Sequence, residues 1–119
     1  MKYKQRVGAR GERIAEWFLA KQGYETLDKH VTSRFGELDL VMNDQGCMVF
    51  VEVKYRRGEG GEVPEEAVGY AKMQKTMRAA QSYAAQYRTE EYRIDVVAIS
   101  EQNHRKSVII RHHKAVSDN

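Results

Sequence analysis

The stretch "CMVFVEVKYRR", residues 47–57, constrains the fold of this chain more than any other segment. Its valines and aromatic residues are typical of a β-strand, in which successive side chains point to opposite faces. Glu52 and Lys54 therefore share one face of the strand, while Val51 and Val53 take the other. Burying a charge in the middle of an apolar strand costs free energy unless the charge is paired with another group or binds a ligand. The stretch thus predicts a strand whose charges form a structural network or a functional site.

The segments around this strand predict two helices and four further strands. Apolar residues recur at helical spacing over 6–22, and Gly23 follows where a helix C-terminus favours glycine. A second apolar stripe over 73–87 predicts a long helix, which the loop "RGEGGEVPEE" precedes with Pro64 near the helix start. The strands are predicted in "YETLDKHV", "GELDLVMN", "CMVFVEVKYRR", "YRIDVVAIS" and "SVIIRHH".

This order of elements, αβββαββ, predicts an α/β fold. A strand, a long helix and a strand in succession form a right-handed crossover, so the third and fourth strands should be parallel neighbours. Hairpins on either side of that unit make the sheet mixed, and we expect five strands flanked by helices. At 119 residues the chain has room for one domain over 1–119, with a basic N-terminal arm at 1–6 and a polar C-terminal tail at 114–119.

Composition narrows the compartment and the class of partner. No apolar run reaches the roughly 18 residues of a membrane span, and the N-terminus lacks the apolar stretch of a secretory signal. The single cysteine, Cys47, suits a reducing compartment, so we expect a cytoplasmic protein with no membrane partner. The net charge of +3 and the pI near 9.0 are only mildly basic. Basic residues are nevertheless clustered, and clusters on one side of the molecule would attract phosphates.

The turn "NDQG" joins the second and third strands, and its length decides which charges meet. A two-residue loop places Asp39 opposite Glu52 and Glu37 opposite Lys54. A four-residue loop shifts the register by two and keeps the same faces, whereas a three-residue loop with a glycine bulge exchanges them. Exchanged faces would scatter charges over both covered faces of the sheet, so we favour a loop with an even number of residues.

Asp39 and Glu52 in direct opposition would repel each other unless a cation lies between them. A divalent ion is the economical solution. Oxygen ligands without cysteine or an adjacent histidine favour Mg²⁺ or Mn²⁺ over zinc. The alternative is a structural network of cross-strand ion pairs, such as Glu37 with Lys54, which would serve the solubility of an edge.

Further residues outside these strands are candidates for the same region. Glu12 lies at the border of the apolar face of the first helix, and Gly8 and Gly11 beside it would allow close approach; a surface acid is the simpler interpretation. Lys72 and Gln74, early in the second helix, could reach the site from above the sheet, although positions on the helix surface are the favoured interpretation. The histidines are interpreted as surface residues: His104, His112 and His113.

The segments "GARGERIAEWFLAKQGYETL", "GELDLV", "VFVEVKYRR", "EEAVGYAKMQKTMRAAQSY" and "YRIDVVAI" resemble, in order and spacing, the bacterial YraN family. That family is assigned to the PD-(D/E)xK restriction-endonuclease-like superfamily and is similar to the archaeal Holliday-junction resolvases. The resemblance extends over about residues 7–99 and implies a restriction-endonuclease-like three-layer core. The sequence departs from the family at His30, where the family usually has asparagine.

Carried over onto this sequence, the resemblance implies a metal-dependent nuclease site. Asp39 corresponds to the metal-binding aspartate, Glu52 to the second acidic ligand and Lys54 to the catalytic lysine. Glu12 matches the first-helix glutamate that joins the metal site in resolvase-like members, and Glu37 belongs to the G-E-x-D signature. The implied cofactor is Mg²⁺ or Mn²⁺, and the implied partner is DNA. The residues expected to hold DNA phosphates are Lys4, Arg6, Arg10, Arg56 and Arg57.

The chain is thus predicted to be a metal-dependent endonuclease that acts on DNA phosphodiester bonds. Selectivity for branched or junction DNA is expected because so small a domain has no separate recognition module. Resolvase-like relatives work as homodimers, and cleavage of both strands of a branch needs two sites, so a homodimer is expected. The alternatives are a non-catalytic nucleic-acid-binding protein that retains the fold, and a basic scaffold for a protein partner.

Overall fold

The computed structural model describes the backbone of residues 2–58, 70–102 and 107–116, and the side chains of those ranges from residue 9 onward except that of Tyr70. Pro64, the predicted start of the second helix and His104 lie outside the described residues. The elements are α1 (Lys2–Ala20), β1 (Glu25–Ser33), β2 (Gly36–Asp44), β3 (Cys47–Arg57), α2 (Tyr70–Gln86), β4 (Tyr92–Gln102) and β5 (Ser107–His113). The predicted order αβββαββ is confirmed.

The described parts of the predicted arm and tail are joined to these elements, while residues 117–119 of the tail lie outside the described residues. Helix α1 begins at Lys2, so the backbone of the predicted basic arm forms its first turns. At the other end, the backbone N–H of Val116 donates to the carbonyl of Ile94 at 2.8 Å, which attaches the start of the predicted polar tail to β4. Neither helix of the described chain combines the length and the apolar character needed to cross a membrane.

The five strands form one mixed sheet in which chain order and spatial order coincide. Strands β1, β2 and β3 form an antiparallel meander, β3 and β4 are parallel, and β5 returns antiparallel to β4. The parallel pair is the one that α2 connects, as the crossover rule predicts. Strand β3 is therefore the central strand, and Glu52 and Lys54 lie in the middle of the sheet.

One helix covers each face of the sheet, which gives three layers. Ala15 and Leu19 of α1 pack against one face, which includes Val51, and Tyr83 of α2 packs against the other, which includes Phe50. Phe50 and Val51 are adjacent in sequence and are 1% and 2% exposed, so β3 is buried on both faces. Each side chain of this kind contributes roughly 1.5–3 kcal/mol through the area that it removes from water.

Helix α1 lies very close to β3 at Gly11. A methyl group added at this position would stand 2.6 Å from Cβ of Tyr55, closer than real side chains approach each other. The absence of a side chain at Gly11 therefore lets the helix backbone press onto the strand. This is the close approach that the sequence predicts for Gly11, and it brings the following residue, Glu12, towards the sheet.

The β2–β3 hairpin closes with a loop of two residues. Gln45 and Gly46 have φ angles of 52° and 91°, which is the left-handed conformation that both central residues of a type I′ turn adopt. The strands then pair in register from the turn to the last recorded pair, Leu40 with Val51. This is the register expected for an even-numbered loop, and that prediction is confirmed.

The packing of β2 departs from the simple alternation of a regular strand. Simple alternation places Leu38, Leu40 and Met42 on the same face of the sheet. Leu40 and Met42 do pack beneath α1, but Leu38 belongs to the cluster beneath α2. The ladder with β3 ends at Leu40, whereas the ladder with β1 continues to Gly36. The face that β2 presents therefore changes at Asp39, between the two leucines.

Candidate active site

Strands β2 and β3 part just beyond the pair of Leu40 and Val51, and the predicted acids lie at this opening. The backbone N–H of Val53 donates a hydrogen bond to Oδ2 of Asp39 at 2.9 Å. In a continued antiparallel ladder this N–H would point towards a carbonyl of the partner strand. The carboxylate of Asp39 takes that place and is fixed in the opening between two strands of the core.

Glu52 lies in the same region and is almost completely buried, with a side chain 4% exposed. Its Oε2 atom lies 3.5 Å from Nζ of Lys54 and 3.2 Å from Nζ of Lys72. Lys54 is its neighbour on the same face of β3, and Lys72 reaches it from the start of α2. The two ammonium groups compensate for the burial of one carboxylate. Lys72 thus reaches the site from above the sheet rather than lying on the helix surface alone.

The surroundings of Asp39 disfavour its charged form and raise its pKa. Burial, the charge of Glu52 and the charge of Glu12 raise this pKa to about 7, although the N–H of Val53 and the ammonium group of Lys72 act in the opposite direction. Asp39 and Glu52 are therefore close enough to repel each other. A shift of this size marks a carboxylate for which the fold provides too little positive charge.

Glu12 reaches the rim of the same region from α1. Its Oε1 atom lies 3.0 Å from Nε2 of His30 on β1. Burial raises the pKa of Glu12, His30 lowers it, and the charges of Glu37 and Glu52 raise it again. Glu12 thus lies within electrostatic reach of the other acids, while its carboxylate faces His30. Glu37 itself is exposed and pairs through its backbone with β1, and the ladder to β3 ends before Glu37 could face Lys54.

The acids at this opening suit a divalent ion that keeps several of its waters better than an ion held by protein ligands alone. Among the residues that the structure describes, no group of three or more His, Cys, Asp or Glu side chains converges to hold a metal ion. Asp39 and Glu52 nevertheless provide two carboxylates that repel each other, and Mg²⁺ is commonly held by one or two carboxylates with water completing its shell. The residues present therefore fit Mg²⁺ or Mn²⁺ with Asp39 and Glu52 as protein ligands.

Arg10, predicted to bind DNA, makes a double hydrogen bond within the protein. Its Nε and Nη2 atoms donate to the two carboxylate oxygens of Glu101 at 2.8 and 2.6 Å. The hydroxyl of Tyr55 also donates to Glu101. These bonds and the charge of Arg57 hold the pKa of Glu101 at about 2, although burial acts against them. Arg10 therefore links α1 to the ends of β3 and β4 and keeps only part of its guanidinium for an outside partner.

The other residues predicted to bind DNA or to join the site lie in different parts of the molecule. Arg56 and Arg57 are exposed at the end of β3, a few residues beyond Glu52 on the same strand. The side chains of Lys4 and Arg6 lie outside the described residues. Gln74 is half-buried in a depression that α2 forms with β4, a different position from that of Lys72.

A second buried acid was missed at the level of sequence. Asp95 of β4 is fully buried; it accepts hydrogen bonds from the hydroxyl of Tyr24 (3.1 Å), Nε of Arg93 (3.0 Å) and the backbone N–H of Ala115 (3.0 Å), and it contacts Nε2 of His112 at 2.8 Å. The prediction that His112 is a surface residue is wrong, since its side chain is 9% exposed. The available signal was an acid inside the apolar run "IDVVAI", which requires partners if the strand is buried.

Known sequences match this chain over most of its length. The profile described as "Uncharacterised protein family UPF0102" matches residues 11–99, a range that includes the opening between β2 and β3. A UPF0102 protein of Syntrophotalea carbinolica is 43% identical over 95 residues, which cover 78% of this chain and 77% of the relative. Similar proteins occur in Vibrio parahaemolyticus, at 39% identity over 81% of this chain and 82% of the relative, and in Nocardia farcinica, at 40% identity over 95% and 90%.

Proposed function

The chain belongs to the uncharacterised protein family UPF0102, and on this premise we propose that it is a metal-dependent endonuclease that hydrolyses phosphodiester bonds of DNA. The family predicted from the sequence motifs is thereby confirmed, while the activity is our proposal. The opening between β2 and β3 carries it, because two mutually repelling carboxylates and two lysines meet there at the centre of a rigid sheet. Residues of these types fit the binding of a cation and a phosphate better than they fit a purely structural role.

Asp39 and Glu52 are the residues that would hold Mg²⁺ or Mn²⁺. Such an ion, when bound, stabilises negative charge on a phosphate oxygen and makes water a better nucleophile at neutral pH. Asp39 enters this role with its carboxylate already oriented by the N–H of Val53. Because its pKa is raised to about 7, a proton competes with the metal ion at Asp39 below that pH.

Lys54 and Lys72 provide the positive charge of the site. Attack on a phosphodiester increases negative charge on the phosphate oxygens in the transition state, and fixed cations stabilise that charge. Lys54 is held in the strand with 19% of its side chain exposed, which suits a group that stabilises the reacting phosphate or orients the attacking water. Lys72 is more exposed and lies on α2, where it can follow a neighbouring phosphate.

DNA is proposed to bind at the end of β3 that carries Arg56 and Arg57, with the N-terminal basic residues contributing from α1. A domain of 119 residues has little surface for reading base sequence, so we expect it to select DNA by shape, with branched DNA as the preferred substrate. Cleavage of two strands requires two such sites, which favours a two-fold homodimer acting on DNA in the cytoplasm.

The proposal is tested with labelled single-stranded, duplex, flap and four-way-junction DNA in Mg²⁺, in Mn²⁺ and in EDTA. We expect cleavage with either ion, most of it on a branched substrate, and none in EDTA. Glu52→Gln should abolish cleavage. Glu16→Gln is the matched control, because it removes another partly buried carboxylate that pairs with a lysine, Lys29, and should leave cleavage intact. Undiminished cleavage in EDTA, or equal loss in both variants, would overturn the proposal.

A second function, DNA binding without cleavage, is favoured by one observation. The carboxylate of Glu52 already has two lysines as partners, and the described residues contain no preformed set of three metal ligands. In this case the lysines would contact DNA phosphates and the acids would only fix the lysines. Binding of labelled DNA without any product, together with no heat of Mn²⁺ binding in calorimetry, would select this function over the first.

A further inference from the structure

Two consecutive residues of β1, Lys29 and His30, both bind acids of α1. Nζ of Lys29 lies 3.0 Å from Oε1 of Glu16, and Nε2 of His30 lies 3.0 Å from Oε1 of Glu12. Glu12 and Glu16 are four residues apart and share one face of the helix. Successive side chains of a regular strand point to opposite faces of the sheet, so an extended backbone cannot direct both residues to α1.

The backbone of His30 accounts for this double contact. Its φ angle is 52°, a left-handed conformation that is uncommon for a residue other than glycine and costs about 1 kcal/mol or more. The pairs on either side, Lys29 with Leu40 and Val31 with Leu38, keep a constant register, so the deviation is confined to one residue. The strand therefore accepts local strain at the one position where the imidazole must turn towards Glu12.

This position lies beside the candidate metal centre. The register of the flanking pairs places His30 across from Asp39 on β2. The charges of Glu12 and Asp39 act on each other, and that of Glu52 acts on both. Glu12 is therefore the next acid available to a cation held by Asp39 and Glu52, and its Oε1 atom is occupied by His30 instead.

We propose that His30 is a positioning residue that holds Glu12 away from the metal-binding carboxylates and so keeps the centre at two protein ligands. The inference rests on the proposed function, because it takes Asp39 and Glu52 to hold a divalent ion. A third carboxylate would bind the ion more tightly and would take a coordination position that water or a phosphate oxygen needs. His30 thus sets how tightly the ion is held and how open it stays to the substrate.

The test is a double-mutant cycle on metal affinity, measured by calorimetry with Mn²⁺ and no DNA. The four proteins are wild type, Glu12→Gln, His30→Asn and the double variant. Asparagine adopts the left-handed conformation readily and is shorter than histidine, so it releases Glu12 without adding backbone strain. We expect His30→Asn to bind Mn²⁺ about tenfold more tightly, the size typical of changes around a metal ligand. Glu12→Gln alone should change the affinity by less than about twofold on the same scale.

The double variant separates this role from a simple effect of charge. If His30 acts through Glu12, the double variant should bind Mn²⁺ with the affinity of Glu12→Gln. An equal gain from His30→Asn in both backgrounds would overturn the proposal, since it would come from removing a nearby positive group. A tenfold loss in Glu12→Gln alone would also overturn it, because Glu12 would then be a ligand in the wild type.

Two further measurements keep the test decisive. His30→Gly is the second variant, since glycine accepts the same φ angle without strain, and thermal unfolding checks that each protein is folded. If wild type binds Mn²⁺ and cleaves DNA while His30→Asn and His30→Gly both leave the affinity unchanged, only this inference fails. If wild type neither binds Mn²⁺ nor cleaves DNA, the proposed function fails and the inference fails with it.

Discussion

Asp39 on β2 and Asp95 on β4 flank the central strand, and the fold treats their charges in opposite ways. Asp95 is the more deeply buried of the two, yet its hydrogen bonds with His112, Ala115 and Arg93 hold its pKa at about 2 against the effect of burial. Asp39 receives the N–H of Val53 but faces other acids, and its pKa is raised to about 7. Donors, rather than depth, therefore decide which carboxylate is stable as an anion.

The two surroundings also differ in what they join. The partners of Asp95 come from the segment after α1, from β4, from β5 and from the chain beyond β5, so this one carboxylate connects four parts of the molecule. Asp39 is oriented by the backbone N–H of Val53 in the neighbouring strand, and the charges of Glu52 and Glu12 act against its own negative charge. Asp95 is thus a buried acid with its charge compensated by the fold, whereas Asp39 is the acid that, under the proposed function, would bind a metal ion.

The largest expected effect is on stability at Asp95. Asp95→Ala leaves His112 without its buried acid partner and removes one of the two acids that bind Arg93, the other being Asp44 at 2.8 Å. We expect a loss of about 3–5 kcal/mol in the free energy of unfolding. Urea denaturation at pH 7 measures it. Asp28→Ala is the control, because Asp28 also accepts a hydrogen bond from a tyrosine hydroxyl, that of Tyr83, and its other hydrogen bond comes from the adjacent backbone N–H of Lys29. A loss below about 1 kcal/mol, the size of an ordinary substitution, would remove the contrast with Asp39.

The next effect distinguishes the role of Lys54 from that of Glu52, its neighbour on the same face of β3. Under the proposed function, Lys54→Ala removes the group that would stabilise the transition state, so cleavage should fall about 10²–10³-fold while Mn²⁺ affinity stays equal or improves. Glu52→Gln should lower both, since it removes the proposed metal ligand. Cleavage rates and calorimetry on the two variants check this. A parallel loss of Mn²⁺ affinity in Lys54→Ala would mean that the lysine only supports the carboxylate.

The third effect is a gain of stability at Asp39. Because its pKa is raised in the folded protein, the unfolded chain releases this proton first, and the stability of the metal-free protein falls as pH rises from about 4 to about 7. Asp39→Asn removes this loss, so it should stabilise the protein by about 2–4 kcal/mol at pH 8 and by much less near pH 4.5. Thermal unfolding at both pH values, with EDTA present, is the measurement. A destabilised variant at pH 8 would place Asp39 with Asp95 as a structural acid.

The smallest effect concerns the salt dependence of DNA binding. Arg57→Ser should weaken binding and reduce the slope of log K against log salt by about 1, the value for one lost phosphate contact. Arg88→Asn is the control, because Arg88 lies beside Gly46 at the start of β3, the far end from Arg57, and asparagine accepts its positive φ. Fluorescence anisotropy over a range of salt concentrations tests this, and equal slopes for wild type and Arg57→Ser would exclude Arg57 as a phosphate contact.

Much of the fold follows from local rules that can be applied to the sequence. Glycine at the second position of "QG" fits a two-residue turn, and the need to keep charges on one face selects an even-numbered loop. The sequence thus reduces the β2–β3 pairing to the registers of a two-residue and a four-residue loop, of which the structure has the first. The crossover through α2 fixes β3 and β4 as parallel neighbours. Glu52 and Lys54 could be placed on one face of β3, since alternation within one strand requires no knowledge of the neighbouring strands.

The rest depends on backbone and contacts that alternation cannot show. Histidine rarely adopts a positive φ, so nothing in the sequence indicates that His30 turns towards α1. Leu38 packs beneath α2 although Leu40 packs beneath α1, and the alternation of residues within β2 gives no sign of this change. His112 lies next to an exposed histidine, and only the fold shows that it meets Asp95.

The contact between Gly11 and Tyr55 has a consequence for how a residue without a functional group can disturb the candidate site. The helix backbone rests directly on the strand there, so any side chain at position 11 must lift or tilt α1. The core beneath α1 is apolar and can adjust to a small tilt, whereas Glu12 must stay within hydrogen-bonding distance of His30. Gly11→Ala should therefore yield a soluble, cooperatively folding protein with a misplaced Glu12. A substitution at a residue without any functional group would then resemble an active-site mutation.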